Sequence, residues 1–139
     1  MWPELPLEFL VIGTPVSFQS DNAKAKQEWK QKVLDGALSV IDGGSWAFYE
    51  NRLSVTLLYF PQEPMAGDLD NIVKLTLDAL KPNVYVDDEL IDRLIVQRFD
   101  PDGTHSFASP SETLVAAMAN EDPVLYIKLA EVPLEDIAA

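Results

Sequence analysis

Asp68 and Asp70 stand one residue apart, and Asp87 and Asp88 follow about eighteen residues later, after what reads as one helix and a short return of the chain. That spacing lets four carboxylates share one rim at the edge of a sheet. Ionised carboxylates at close range repel unless a cation compensates them, and hard oxygen donors of this kind suit Mg²⁺, with Mn²⁺ as the alternative. The chain has no cysteine, so disulfides, thiolate metal sites and cysteine nucleophiles are excluded, and any metal is held mainly by oxygen. Lys74 lies four positions after Asp70 and four before Asp78, on one face of the same helix. As plain i,i+4 pairs these contacts add roughly 0.2–0.5 kcal/mol each. Above the carboxylate rim, the same ammonium would neutralise a phosphate or the charge that grows on it during attack. Taken singly, Asp68 reads as a helix cap and Asp87-Asp88-Glu89 as a solvated acidic turn. Their combination in one short interval is what argues for a site, and it leaves a phosphodiesterase, a phosphatase and a plain Mg²⁺-binding domain all open.

The elements that must position these groups follow from periodicity. Residues 5–12 are rich in strand formers and end at Gly13-Thr14-Pro15, a strand followed by a turn. From 21 to 41 the apolar residues Ala25, Trp29, Val33, Ala37 and Ile41 recur at every fourth position, which predicts an amphipathic helix stopped near Gly43-Gly44. Residues 52–60 begin with alternation and finish apolar, a central strand ended by Pro61 and Pro64. Asp68 is placed as the cap of a helix over 69–80, with Lys81-Pro82-Asn83 as its stop. A short extended piece at 84–86 precedes the acidic pair, and 90–99 resumes as a strand before the turn at 100–103. Ser109-Pro110-Ser111-Glu112 reads as a capping box with proline in the first helical position, starting a helix over 110–118, and 124–129 is a last alternating strand. Helices and strands interleave without repeat or linker. The expectation is one layered α/β (α+β) domain over 1–139, a small mixed sheet with packed helices and its strand order left open.

Composition sets bounds on function. With 139 residues, 47% hydrophobic and 24% charged, the chain suits one globular domain. No stretch approaches the roughly 18 uninterrupted apolar residues of a membrane span, and no basic segment precedes an apolar one at the start; a soluble cytoplasmic protein with no membrane partner is expected. The 23 acidic and 10 basic residues give a net charge of −13, which opposes contact with a phosphate backbone. The charge is unevenly distributed: Lys24, Lys26, Lys30 and Lys32 fall in one segment, whereas Lys128 is the lone lysine or arginine after residue 100. The single His105 leaves no Ser-His-Asp triad unless it is the base, and no nucleophile-elbow sequence accompanies it.

The run Gly67-Asp68-Leu69-Asp70-Asn71-Ile72, with Lys74, then Leu77-Asp78-Ala79-Leu80 and Val84-Tyr85-Val86-Asp87-Asp88-Glu89-Leu90-Ile91, resembles the signature of the RusA-like Holliday-junction resolvases. The resemblance is strongest over 67–91 and extends more loosely over 7–99; the acidic portion 109–139 has no counterpart. It implies that Asp68, Asp70 and Asp88 are the metal-binding and catalytic carboxylates and that Lys74 is the essential lysine. Asn71 matches the asparagine that ties down the helix start, and Asp87 is a candidate to orient water around the metal. It further implies a homodimer with two such sites on one face, which nicks opposed strands of a four-way DNA junction with Mg²⁺ as a water attacks in line. Family members commonly carry arginines just before the first aspartate, whereas residues 61–67 here include no basic residue. DNA contacts then fall to Lys24, Lys26, Lys30, Lys32 and Arg52, with Arg93 and Arg98 as additions.

Two other classes compete. One is a catalytically weak or inactive member of the same fold acting as an acidic binding or regulatory protein, and the other is an acidic dimerising domain whose carboxylates are only caps and turns. Among the aromatic residues, Trp29 lies in the apolar register of its helix and reads as core, Trp2 as cover for the sheet edge, and Trp46 and Phe48 as a turn anchor or a wedge at a branch point. Tyr59, Tyr85 and Phe99 read as strand core or dimer contacts.

Overall fold

Strands β1 (Leu7–Ile12), β2 (Leu53–Phe60), β3 (Ile91–Arg98) and β4 (Val124–Glu131) form one four-stranded sheet in the order β1-β4-β2-β3. The computed structural model describes residues 5–41, 47–65, 67–103 and 105–132. β4 pairs antiparallel with β1 and β2, and β2 pairs parallel with β3, so the sheet is mixed as the alternation of helices and strands predicts. β3 and β1 are its edges.

Side chains alternate across a strand, and here the alternation divides two cores. Phe9, Val11, Leu53, Val55, Leu57, Ile127 and Leu129 line one face, under α1 (Ala23–Val40) and α2 (Asp70–Leu80). Leu58, Val124 and Tyr126 turn to the other face and meet Leu114 and Ala117 of α3 (Glu112–Met118) together with Phe99. The acidic segment that has no counterpart in the resemblance thus supplies α3 and β4, one of the two strands hydrogen-bonded on both sides.

α1 begins where the Asn22 side chain accepts from the Ala25 N–H at 3.0 Å, and it buries Trp29, Val33 and Ala37, the four-residue stripe read from sequence. Gly36 lets it approach β1: a Cβ there would stand 3.0 Å from the Phe9 ring and 3.3 Å from the Leu10 carbonyl. Trp29 is core, and its indole Nε1 donates to the buried Thr76 Oγ1 at 3.1 Å, which in turn donates to the Ile72 carbonyl at 2.6 Å. This hydrogen-bonded link inside the apolar layer fixes α1 against α2 and therefore sets which face of α2 looks outward.

Two local expectations are corrected. Leu69, in a helical conformation and without a side-chain bond, occupies the cap position of α2, so Asp68 is not its cap. Ser111, not Ser109, caps α3 by accepting from the Leu114 N–H at 3.1 Å; the sequence holds two serines two apart, and the one whose oxygen reaches an N–H three residues on wins. Residues 84–86 are anchored by a parallel bridge between Tyr85 and Phe48, both buried, which removes Phe48 as an exposed wedge. Trp2, Gly43-Gly44 and Trp46 lie outside the described residues. Among the described residues no helix is long and apolar enough to cross a membrane.

Candidate active site

The α2 entrance holds Asp68 and Asp70, both exposed, and among the described residues neither carboxylate has a hydrogen-bond or ion-pair partner. The backbone around them is fixed from three sides. Asn71 Oδ1 accepts from Ser17 Oγ at 2.9 Å, tying the entrance to the segment after β1. Arg98 Nη1 donates to the Gly67 carbonyl at 2.9 Å, and the Met65 N–H donates to Asp100 Oδ1 at 3.1 Å, both from the far end of β3. Gly67 adopts φ +93°, a region that disfavours other residues, and a Cβ there would lie 2.6 Å from Asn71 Nδ2. The two acids therefore project from a constrained turn at a helix N-terminus, where negative charge is favoured.

The α2 exit is built differently. A single 3₁₀ turn, Asp88–Leu90, leads directly into β3, and the Asp87 side chain starts it by accepting from the Asp88 N–H at 2.7 Å. Asp88 Oδ2 accepts from Lys81 Nζ at 3.0 Å; Lys81 also lies 3.7 Å from Asp78, which pairs with Lys74 at 3.2 Å. The Asp88 carboxylate beside Lys81 holds its ammonium above the usual lysine range, aided by the charges of Asp78 and Asp87. Tyr85, whose hydroxyl donates to the Leu77 carbonyl at 3.0 Å, is pushed well above the ordinary phenol range, first by burial and then by the neighbouring charges of Asp88 and Asp78. One atom stands apart: Asp88 Oδ1 is sealed from solvent without a hydrogen bond of normal geometry, although the Tyr85 hydroxyl also acts on this carboxylate.

An eleven-residue helix separates these ends, a length of about 16 Å at 1.5 Å per residue. Among the described residues, no three carboxylate or imidazole side chains stand together in position to hold one metal ion. Lys74 pairs with Asp78 rather than Asp70, one rung of the salt-bridge ladder that its spacing permits.

The basic residues divide as well. Helical period puts Lys26 and Lys30 on one flank of α1 and Lys24 and Lys32 elsewhere, and Lys26 shares the Phe18 ring with Lys74 of α2. Lys26 donates to the Phe18 carbonyl at 3.3 Å, Lys32 to the Ile12 carbonyl at 3.3 Å, and Lys24 lies 3.9 Å from Glu28. Arg52 is bound by Asp92, with Nε to Oδ2 at 3.0 Å, and also donates to the Glu89 carbonyl. The same contact raises the Arg52 pKa and lowers that of Asp92. His105 packs edge-on against Phe99 at 4.7 Å between centroids, with Nε2 3.2 Å from the Asp100 carbonyl, in a cluster that includes Phe60 and Phe107.

Sequence reasoning missed Lys81, taken only as a helix stop, and Phe18. It also missed the clamp roles of Ser17 and Arg98. A cleft of about 480 Å³ beside the entrance is lined in part by Ser17, Tyr59, Gln62, Met65 and Asn71.

With this geometry in view, comparison with known families is decisive, because the model described as endodeoxyribonuclease RusA matches residues 15–105. The chain belongs to the endodeoxyribonuclease RusA family. Both ends of α2, the Asp68-x-Asp70-Asn71 turn and the Asp87-Asp88 pair fall inside the matched span. The RusA match leaves β1, α3 and β4 outside, so one sheet edge and one of the two strands flanking β2 come from sequence beyond it. Among curated proteins none matches the chain significantly. Family membership supports a nuclease.

Proposed function

We propose that the protein is a Mg²⁺-dependent, structure-specific endonuclease that cuts phosphodiester bonds at four-way DNA junctions, with Asp68, Asp70 and Asp88 as metal-holding carboxylates and Lys74 as the catalytic lysine. The observation that carries the reading is the presence, within the RusA-matched span, of carboxylate oxygens left without partners: both acids at the α2 entrance and the sealed Oδ1 of Asp88. A carboxylate oxygen buried without a donor is costly, and an oxygen-coordinated divalent cation would relieve that cost. The donor set therefore fits Mg²⁺, or Mn²⁺ in its place. When bound, such an ion polarises a non-bridging phosphate oxygen and favours ionisation of water at neutral pH.

The chain's own residues do the rest. Asn71 and Arg98 keep the entrance turn rigid through Ser17 and Gly67. Lys74, one turn into α2, exchanges Asp78 for the phosphate and offsets the negative charge that develops in the transition state. Asp87 holds the 3₁₀ turn that orients Asp88. Lys26 and Lys30 serve as backbone contacts more readily than Lys24, Lys32 or Arg52, whose nearest partners point them elsewhere.

In this reading the protein acts as a homodimer. The two carboxylate groups lie at opposite ends of α2, so a two-fold pairing that sets the Asp88 end of one copy against the α2 entrance of the other would close a set of three donors. The exposed edge strand β3, with Leu94 and Ile95 partly open to solvent, is available to such a pairing. The test is complementation on a synthetic four-way junction with Mg²⁺: D70N and D88N are each inactive alone, and mixing them restores one intact site per mixed dimer, read as single unpaired nicks, if the halves come from different copies. A mixture that stays inactive while wild-type protein cuts removes the shared site, and inactivity of folded wild-type protein removes the nuclease reading.

A second reading rests on the −13 charge together with Arg52 and Arg98 being occupied inside the fold. It is a catalytically weak RusA-like metal-binding domain acting as an acidic binding or regulatory protein. It predicts Mg²⁺ binding that depends on Asp70 with no cutting of any branched DNA.

A further inference from the structure

Phe18 is an aromatic ring held out into solvent, 53% exposed, by a turn tied at several points. The Ser20 N–H donates to the Ser17 carbonyl at 3.0 Å and the Gln19 N–H to Ser17 Oγ at 3.1 Å, closing the turn. Ser17 Oγ donates to Asn71 Oδ1 at the α2 entrance, and Lys26 Nζ donates to the Phe18 carbonyl. The Nζ atoms of Lys26 and Lys74 each lie 5.8 Å from the ring centroid, one from α1 and the other from α2.

A single exposed apolar side chain needs no explanation. This ring differs in its company. Two ammonium groups converge on it in a chain of net charge −13, one of them the lysine assigned to catalysis, and its turn is bonded to the residue next to Asp70. A ring fixed in advance loses little conformational freedom on binding. Aromatic faces with flanking cations take nucleic acid by stacking a base and meeting its phosphates, and a base must be unpaired or frayed to offer its face.

We propose that Phe18, Lys26 and Lys74 form a nucleotide-docking platform on which an unpaired DNA base stacks beside the phosphate to be cut, its neighbouring phosphates held by the two ammonium groups. This deepens the nuclease reading and rests on it for the identity of the strand. Phe18 is a positioning residue, setting where the strand lies relative to the α2 entrance. The platform supplies an aromatic contact close to the catalytic lysine, on the segment after β1.

The test measures binding of full-length protein in EDTA, where no cutting occurs, to three probes: a single-stranded oligonucleotide containing 2-aminopurine, a four-way junction, and a blunt duplex. Wild-type protein should quench 2-aminopurine. Phe18→Ala should lose the quench and bind the single strand and junction about 5- to 100-fold more weakly, with duplex binding within twofold and an unchanged thermal melt. Phe18→Trp should keep both the quench and the affinity. Undiminished quenching by F18A, or equal loss on all three probes, overturns the platform. If wild-type protein cuts junctions and F18A matches it on every probe, the platform alone falls. Phe18-dependent quenching in a protein that never cuts leaves the platform standing and removes the nuclease reading.

Discussion

The two ends of α2 carry acids of the same kind in opposite states. At the entrance, Asp68 and Asp70 have no side-chain partner among the described residues and stand on a rigid turn, held by Gly67, Asn71 and Arg98 acting on the backbone. At the exit, Asp78 and Asp88 are compensated by Lys74 and Lys81, and the backbone is set by one 3₁₀ turn. Carboxylates that hold a fold together are paired, whereas the carboxylates left unpaired on a constrained backbone are the ones the proposed function assigns to a cation. Asp88 belongs to both categories, with one oxygen on Lys81 and the other sealed and lacking a hydrogen bond of normal geometry.

Substitutions sharpen this contrast, beginning with the largest effect. Asp70→Asn should lower Mg²⁺ affinity by about a hundredfold or more, read by calorimetry, while Asp78→Asn changes it by less than about tenfold; equal effects would erase the difference between the ends. Thr76→Val leaves the buried Trp29 indole N–H without its acceptor and should cost about 1–3 kcal/mol in urea unfolding, lowering stability without altering metal affinity per folded molecule. Gly67→Ala forces a side chain into positive φ against Asn71 and should cost about 1–2 kcal/mol, with metal affinity falling because the entrance turn shifts. Lys81→Met should lower Tm only at low ionic strength, the deficit shrinking as salt screens the remaining carboxylates.

The pH dependence of the exit has a definite sign. Tyr85 has a folded pKa above the ordinary phenol value of 10.0, so its contribution to stability is fully present below pH 10 and is lost as pH climbs through the folded value. Tyr85→Phe should flatten the alkaline decline of Tm. An unchanged slope would show that Tyr85 is not the group responsible.

Much of this was legible in the chain itself. The strands, α1 and α2 follow from period-two and period-four patterns, and burial of Trp29, Val33 and Ala37 follows the stripe. The Asp68-x-Asp70-Asn71 motif located the entrance, and the family match covers it. What was illegible depended on contacts distant in sequence. Lys81 meets Asp88 only after the chain turns through Pro82 and Tyr85, and Ser17 meets Asn71 across 54 positions. The four lysines of α1 look like one patch in a linear reading, but 100° per residue sends them to different flanks. Asp68 resembled a cap because aspartate is favoured there, yet the helical backbone of Leu69 moves the cap one residue on and leaves the Asp68 carboxylate to other use.

The most direct test incubates purified wild-type protein and D70N with a labelled four-way junction and a matched duplex, with Mg²⁺ or EDTA. The account predicts paired nicks in the junction alone, present with Mg²⁺, absent with EDTA and absent with D70N. Junction cutting that persists in EDTA or in folded D70N, or no cutting by folded wild-type protein with Mg²⁺, would contradict it.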